Sequence, residues 1–190
     1  IDATAAESAA KLYRQQHQSN RYLVAGAAEL LDALRAHCRL GVVTNNSTSE
    51  QIEKLRALNI ASYFDTVVIS EDVGVTKPNR KIFDIALERI GAKASDTVFI
   101  GDNWNNDIVG AVNAGMTAVW LDLSGKTPAS AGIAGQKWPE MPVDAGVLRS
   151  RVATVTSLTP LETLTDTIKA IFTTRISGVT QHEQLETLAT

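Results

Sequence analysis

The chain has 190 residues, 44% of them apolar and 21% charged, a balance that suits one globular domain and excludes a fibrous or wholly disordered chain. Its net charge of −3 argues against a general nucleic-acid binder, which would want a basic face, and no apolar run approaches the roughly 18 residues of a membrane helix. The one cysteine, Cys38, has no partner for an internal disulfide, which fits a reducing compartment or indifference to redox, and the expectation is a cytoplasmic protein.

Residues 3–18, rich in Ala and Gln, predict a helix. Residues 25–38 predict a second, with Ala27, Leu30, Leu31 and Leu34 on one face. Leu40 to Thr44 is a β-branched run that stops at Asn45-Asn46, so it reads as a buried strand and a turn. Ser47 with Glu50, or Thr48 with Gln51, offers a capping box to a helix carrying Ile52, Leu55 and Leu58. Thr66 to Ser70 is a second strand. Pro78 suits the first turn of the next helix, whose stripe is Ile82, Ile85, Ala86 and Ile90 and whose end is Gly91. Thr97 to Ile100 is a third strand, followed by a polar turn from Gly101. Asp107 to Ala114 predicts a helix ending at Gly115, and Thr117 to Leu121 a fourth strand.

Residues 124–146 hold four of the 12 glycines and three of the 5 prolines, which predicts a surface loop. Arg151 to Thr156 reads as a fifth, edge strand. Thr159-Pro160-Leu161-Glu162 reads as the start of a last helix through about Phe172, with a loosely held tail over 173–190. Strands alternating with helices imply an α/β fold, a doubly wound parallel sheet covered on both faces, with its core domain over 25–172.

Ligands of such sheets gather at the carboxyl ends of the strands. Thr44-Asn45-Asn46 follows the first strand, a loop ending in Lys77-Pro78 follows the second, and Gly101-Asp102-Asn103-Trp104-Asn105-Asn106-Asp107 follows the third. One edge thus collects a hydroxyl, amides, an ammonium and two carboxylates. That set suits a phosphate held with a hard cation: carboxylates take Mg²⁺, while lysine and hydroxyl take phosphate oxygens. Each residue alone also has a plain structural reading, as turn, solvated lysine or helix-start acid. Their joint occurrence in chain order on one edge carries the argument.

Val42-Val43-Thr44-Asn45-Asn46, the stretch Lys77 to Phe83 and the stretch Gly101 to Asp107 resemble motifs II, III and IV of the haloacid dehalogenase-like hydrolases. The resemblance runs from about Gly26 to Asp122 and resumes over 151–168, and Gly26 to Leu34 is similar to the segment leading out of a helical cap. It implies that residues 1–24 are the remnant of an N-terminal helical cap on a Rossmann-like core. It implies a Mg²⁺-dependent phosphatase acting on a small phosphorylated metabolite through an aspartyl-phosphate. Thr44 and Lys77 would be catalytic, and Thr44, Asn45 and Lys77 would bind substrate. Asp102 would bind Mg²⁺, and Asp107 would position Lys77 or a metal-bound water.

The same resemblance exposes a departure. Motif I of the family is an Asp-x-Asp pair on the central strand, and the sequence contains no Asp-x-Asp. The expectation is a fragment, an incomplete gene model or a degenerate member, inactive by itself. The motif I strand would lie between the strands ending at Thr44 and Gly101, so those two are expected to stand about 9–10 Å apart without pairing. The internal candidate for that slot is Ile171 to Val179. A non-catalytic protein that binds a phosphorylated ligand or a partner is the alternative; a phospho-receiver domain fits poorly, because its acids would precede the threonine. Cys38 reads as a packed helix residue. His17, His37 and His182 lack metal-ligand spacing. Trp104 reads either as a wall of the pocket or as a cover for the sheet.

Overall fold

The structure, a computed structural model, describes residues 21–123 and 150–159, together with Asp2, Ser8, Glu162 and residues 165–168. Most of the expected helix over 3–18, the loop over 124–146, the Ile171–Val179 segment and the tail over 173–190 lie outside the described residues.

The element order is α1 (Ala27–Arg35), β1 (Gly41–Thr44), α2 (Thr48–Ala57), β2 (Thr66–Ile69), α3 (Ser70–Val73) and α4 (Arg80–Ile90), then β3 (Val98–Gly101), a π-helical turn (Trp104–Val109), α5 (Gly110–Asn113), β4 (Thr117–Leu121) and β5 (Val152–Val155). Two parallel ladders result. β1 pairs with β2, and β4 lies between β3 and β5. Among the described residues β1 and β3 share no ladder, the relationship that the resemblance to motifs II and IV implies.

Alternation along the strands places cores on both faces. Phe99, Ala118, Trp120 and Val152 face one core with Val68, Ile82, Phe83, Ile108 and Met116. Val98, Ile100, Val119, Leu121, Ala153 and Val155 face the other with Leu30, Leu34 and Leu158. The first core spans the two ladders, because α4 lies against both β1 and β2 while Phe83 meets Phe99 of β3 edge to face at 5.2 Å. Phe83, Ile82 and Ile108 are 0% exposed, and burying each contributes about 1.5–3 kcal/mol. The fold is a mixed α/β domain with parallel strands. No helix of the described residues is long and apolar enough to cross a membrane.

Several local expectations are corrected. The helix expected over 25–38 ends at Arg35, so Cys38 lies past it and is exposed, its thiol donating to the Leu34 carbonyl at 3.3 Å. Burial of part of the side chain, then the charge of Asp65, push that thiol's pKa up, away from reactivity. No capping box forms at α2. The Asn46 side chain takes the Ser47 N–H at 2.9 Å, and Glu71 takes that of Thr48 at 2.8 Å. Ser70 opens α3 rather than closing β2. Pro78 lies before α4, whose N-cap is Asn79, accepting from the Lys81 N–H at 3.0 Å. The helix expected from Asp107 is a π-helical turn that begins at Trp104 and passes into α5.

Candidate active site

A cleft of about 300 Å³ opens where β1 and β3 end. Thr44, Asn45, Lys77, Asp102 and Asp107 all line it, joined by Asn46, Gln51, Lys54, Asn103 and Asn106. The cleft therefore gathers two carboxylates and two ammoniums among amides and a hydroxyl.

Lys77 is the best-anchored member. Its ammonium lies 2.6 Å from Asp107 Oδ1, donates to the Val43 carbonyl at 2.8 Å and sits 5.6 Å from the centre of the Phe99 ring. The side chains of the pair are only 12% and 7% exposed, so the charge is poorly screened and its position well defined. The main chain of Lys77 is fixed as well. Its N–H donates to Asn45 Oδ1 at 2.7 Å, and its carbonyl accepts from Asn45 Nδ2 at 2.9 Å. Both polar ends of Asn45 thus clamp the Lys77 loop to the end of β1. One remaining Nδ2 hydrogen is what it can offer a ligand.

Asp107 is positioned by glycine and by main chain. A Cβ on Gly101 would lie 2.5 Å from Asp107 Cβ and 2.6 Å from Oδ2, so only glycine lets the turn close over β3. Asp107 Oδ2 accepts the Asn103 N–H at 3.1 Å, and the Asn103 carbonyl accepts the N–H groups of Asp107 and Ile108 at 2.8 and 3.4 Å. The second of those bonds gives the turn its wider, π-helical pitch. A Cβ on Gly110 would meet the Phe83 ring at 2.7 Å and Pro78 Cα at 3.1 Å. That close approach brings the Lys77-Pro78 loop down onto the turn.

Gln51, whose place in the sequence offers only a cap, is a site residue. It is 6% exposed. The Ser47 N–H can only donate, so Asn46 Oδ1 faces it and Asn46 Nδ2 faces Gln51 Oε1 at 3.4 Å. The Thr44 hydroxyl lies 3.5 Å from the same oxygen. Gln51 therefore gathers the two donors that end β1. The signal available in the sequence was its place one turn inside the helix that follows Thr44.

The Asp102 carboxylate is exposed and makes no hydrogen bond or ion pair among the described residues, while its carbonyl accepts the Trp120 indole N–H at 3.1 Å. Both Asp107 oxygens are engaged, and the described residues hold no cluster of three or more His, Cys, Asp or Glu side chains. Mg²⁺ is satisfied by one or two carboxylates with phosphate oxygens and waters, so Asp102 fits a shared ion rather than a protein-built cage. Trp104 does not line the cleft. It packs edge to face on Trp120 at 5.0 Å and covers the core.

Comparison with known proteins identifies the family. A family model described as haloacid dehalogenase-like hydrolase matches residues 2–121. The chain is 44% identical over 98 residues to the pyrimidine 5'-nucleotidase YjjG of Escherichia coli (strain K12), covering 51% of this chain and 44% of that protein. It is 48% identical over 93 residues to the glyceraldehyde 3-phosphate phosphatase of Methanothermobacter thermautotrophicus, covering 49% and 41%. It is 34% identical over 124 residues to the N-acylneuraminate-9-phosphatase of Mus musculus, covering 65% and 50%. The chain thus spans about half the length of these relatives. Among solved structures, the HAD-hydrolase YfnB from Bacillus subtilis, bound to magnesium, superposes with a TM-score of 0.60 at 25% identity, over 80% of this chain and 59% of that one.

Proposed function

The chain belongs to the haloacid dehalogenase-like hydrolase family, and on that footing we propose that its cleft is the phosphate-binding part of a Mg²⁺-assisted phosphatase site for small phosphate monoesters. The observation that carries the reading is the poorly exposed Lys77 ammonium, held by Asp107 and the Val43 carbonyl in the cleft that Thr44 and Asp102 also line.

Each residue has a physical task in that reading. The Thr44 hydroxyl, whose one hydrogen faces Gln51 Oε1 at a long 3.5 Å, turns to donate to a non-bridging phosphate oxygen when the ligand arrives. Lys77 offsets the charge of the phosphoryl group, and its rigid mounting means that little reorganisation is needed when charge develops. Asn45 and Asp107 hold Lys77 in place, and Asp107 also stops the ammonium from being carried away by an arriving anion. Asp102 supplies an oxygen to Mg²⁺, which when bound neutralises phosphate charge and acts as a Lewis acid. Phosphoryl transfer passes through a loose transition state, so positioning and electrostatics are most of what a protein contributes.

In the covalent form of this chemistry an aspartate attacks phosphorus, the ester oxygen leaves with a proton, and water hydrolyses the resulting aspartyl-phosphate. The chain has no Asp-x-Asp pair, and the proposal is that these 190 residues bind and orient phosphate without turning it over. The similarity to a pyrimidine 5'-nucleotidase, a glyceraldehyde 3-phosphate phosphatase and an N-acylneuraminate-9-phosphatase supports the reaction class. The test assays pure chain on an aryl phosphate with Mg²⁺ beside a titration with inorganic phosphate. Saturable phosphate binding without turnover is expected. Turnover that disappears in Lys77→Ala would overturn the inactive half, and no phosphate binding would overturn the whole.

A further inference from the structure

The cleft contains two lysines in different electrostatic states. Lys77 is paired with Asp107 at 2.6 Å. Lys54 also lines the cleft, yet its side chain makes no ion pair or hydrogen bond among the described residues. It lies three residues after Gln51 on α2, so the two side chains share one face of that helix. Gln51 is 6% exposed, and only its Oε1 is engaged, by Thr44 and Asn46. Its Nε2 donors have no partner among the described residues. The Gln51 Nε2 donors and the Lys54 ammonium, which has no counter-charge among the described residues, thus make a stretch of cleft wall whose unengaged groups all donate.

We propose that Gln51 Nε2 and Lys54 Nζ form a second anion subsite, so that the preferred ligand is a phosphate monoester carrying another anionic group, a carboxylate or a second phosphate, a few bonds from the first. This rests on the reading of the Lys77 and Thr44 end as the phosphate site. Apolar lining is sparse in the cleft, since its residues are amides, charges and Thr44. A ligand with a bare hydrocarbon tail gains nothing there, whereas a charged tail gains a charge-assisted hydrogen bond from each donor. A neutral polyol tail can satisfy Gln51 but leaves Lys54 without its counter-charge.

Four probes separate the possibilities by isothermal titration of the full chain in Mg²⁺: inorganic phosphate, glycerol 1-phosphate, 2-phosphoglycolate and propane-1,3-diol bisphosphate. The expected result is about tenfold tighter binding of one or both doubly anionic probes than of glycerol 1-phosphate. Preference for phosphoglycolate identifies the tail group as a carboxylate, and preference for the bisphosphate identifies it as phosphate. In Lys54→Ala, an exposed position, the advantage should fall to within twofold, and Lys54→Arg should restore it. Equal binding of charged and neutral tails by the wild-type chain overturns the subsite while leaving the phosphate site intact. So does an equal loss of every probe in Lys54→Ala. Absence of inorganic phosphate binding overturns the underlying reading, and the subsite with it.

Discussion

The Lys77 ammonium lies 2.6 Å from Asp107 Oδ1, so a residue from the loop before α4 and a residue from the turn after β3 meet across the two ladders. With both side chains nearly buried, removing one partner leaves an uncompensated charge. Asp107→Ala should cost about 3 kcal/mol, a fall in Tm of roughly 6–12 °C for a chain of this size. Lys77→Met combined with Asp107→Leu should recover most of that loss, because two apolar chains replace the pair. Calorimetry on the single and double variants measures the difference, and a double variant less stable than Asp107→Ala would show that packing, not charge, dominates.

Gly101 gives a second handle on the same pair. The methyl group of Gly101→Ala would fall inside Asp107, at 2.5 Å from Cβ. The turn must move, at about 1–3 kcal/mol for overpacking, and Asp107 moves with it. The expected outcome is weaker phosphate binding by at least tenfold with a lower Tm. Unchanged phosphate affinity in a titration would mean that the ammonium keeps its place without Asp107's present position.

Gln51 tests the mounting of Thr44. Gln51→Glu keeps the shape, adds a negative charge within reach of the Thr44 hydroxyl and Asn46 amide, and opposes an arriving phosphate. Phosphate affinity should fall by roughly tenfold or more, one hydrogen-bond-sized energy at least. Gln51→Leu should lower it by a smaller factor, since it loosens the two donors without adding charge. An affinity in Gln51→Glu equal to that of the wild type would separate Thr44 from the phosphate.

These variants also mark where the sequence was readable. β4 matches its expected span of Thr117 to Leu121, and the strand ends nominated Thr44, Lys77, Asp102 and Asp107, because short β-branched runs bounded by turns and the edge rule are local and topological signals. What was hidden depended on distant partners. The unused capping box before α2 is explained by Glu71, 23 residues away, taking the Thr48 N–H. The π-helical turn follows from the Asn103 carbonyl accepting the Ile108 N–H, with Asp107 seated close over Gly101, a combination that helix propensity cannot express. Gln51 has only the sequence signature of a cap because its partners, Thr44 and Asn46, meet it only after the strand-to-helix turn closes. Phe83, outside the expected stripe, proved fully buried because it reaches β3.

Away from the cleft, Asp65 predicts a pH effect. The Arg35 guanidinium at 2.5 Å, then the Leu40 N–H at 2.9 Å, hold its carboxyl below the ordinary value of 3.8. A depressed folded-state pKa stabilises the fold above the ordinary value, and that contribution fades as pH falls through the lowered one. Asp65→Asn should therefore lower Tm at pH 7, and the gap to wild type should close below pH 3.8. A gap that stays constant down to acid pH would assign the effect to the hydrogen bonds alone.

The central claim is that Lys77, Thr44 and Asp102 hold a phosphate together with Mg²⁺. Isothermal titration of the chain with inorganic phosphate, with and without Mg²⁺, tests it most directly when run on wild type, Lys77→Met and the isosteric, exposed Asp102→Asn, each first shown to be folded by circular dichroism. The account predicts one phosphate per chain, bound more tightly in Mg²⁺. It predicts that the Mg²⁺ gain disappears in Asp102→Asn and that affinity falls at least tenfold in Lys77→Met. Phosphate binding that ignores both Mg²⁺ and Lys77, or no binding by the folded wild-type chain, would contradict it.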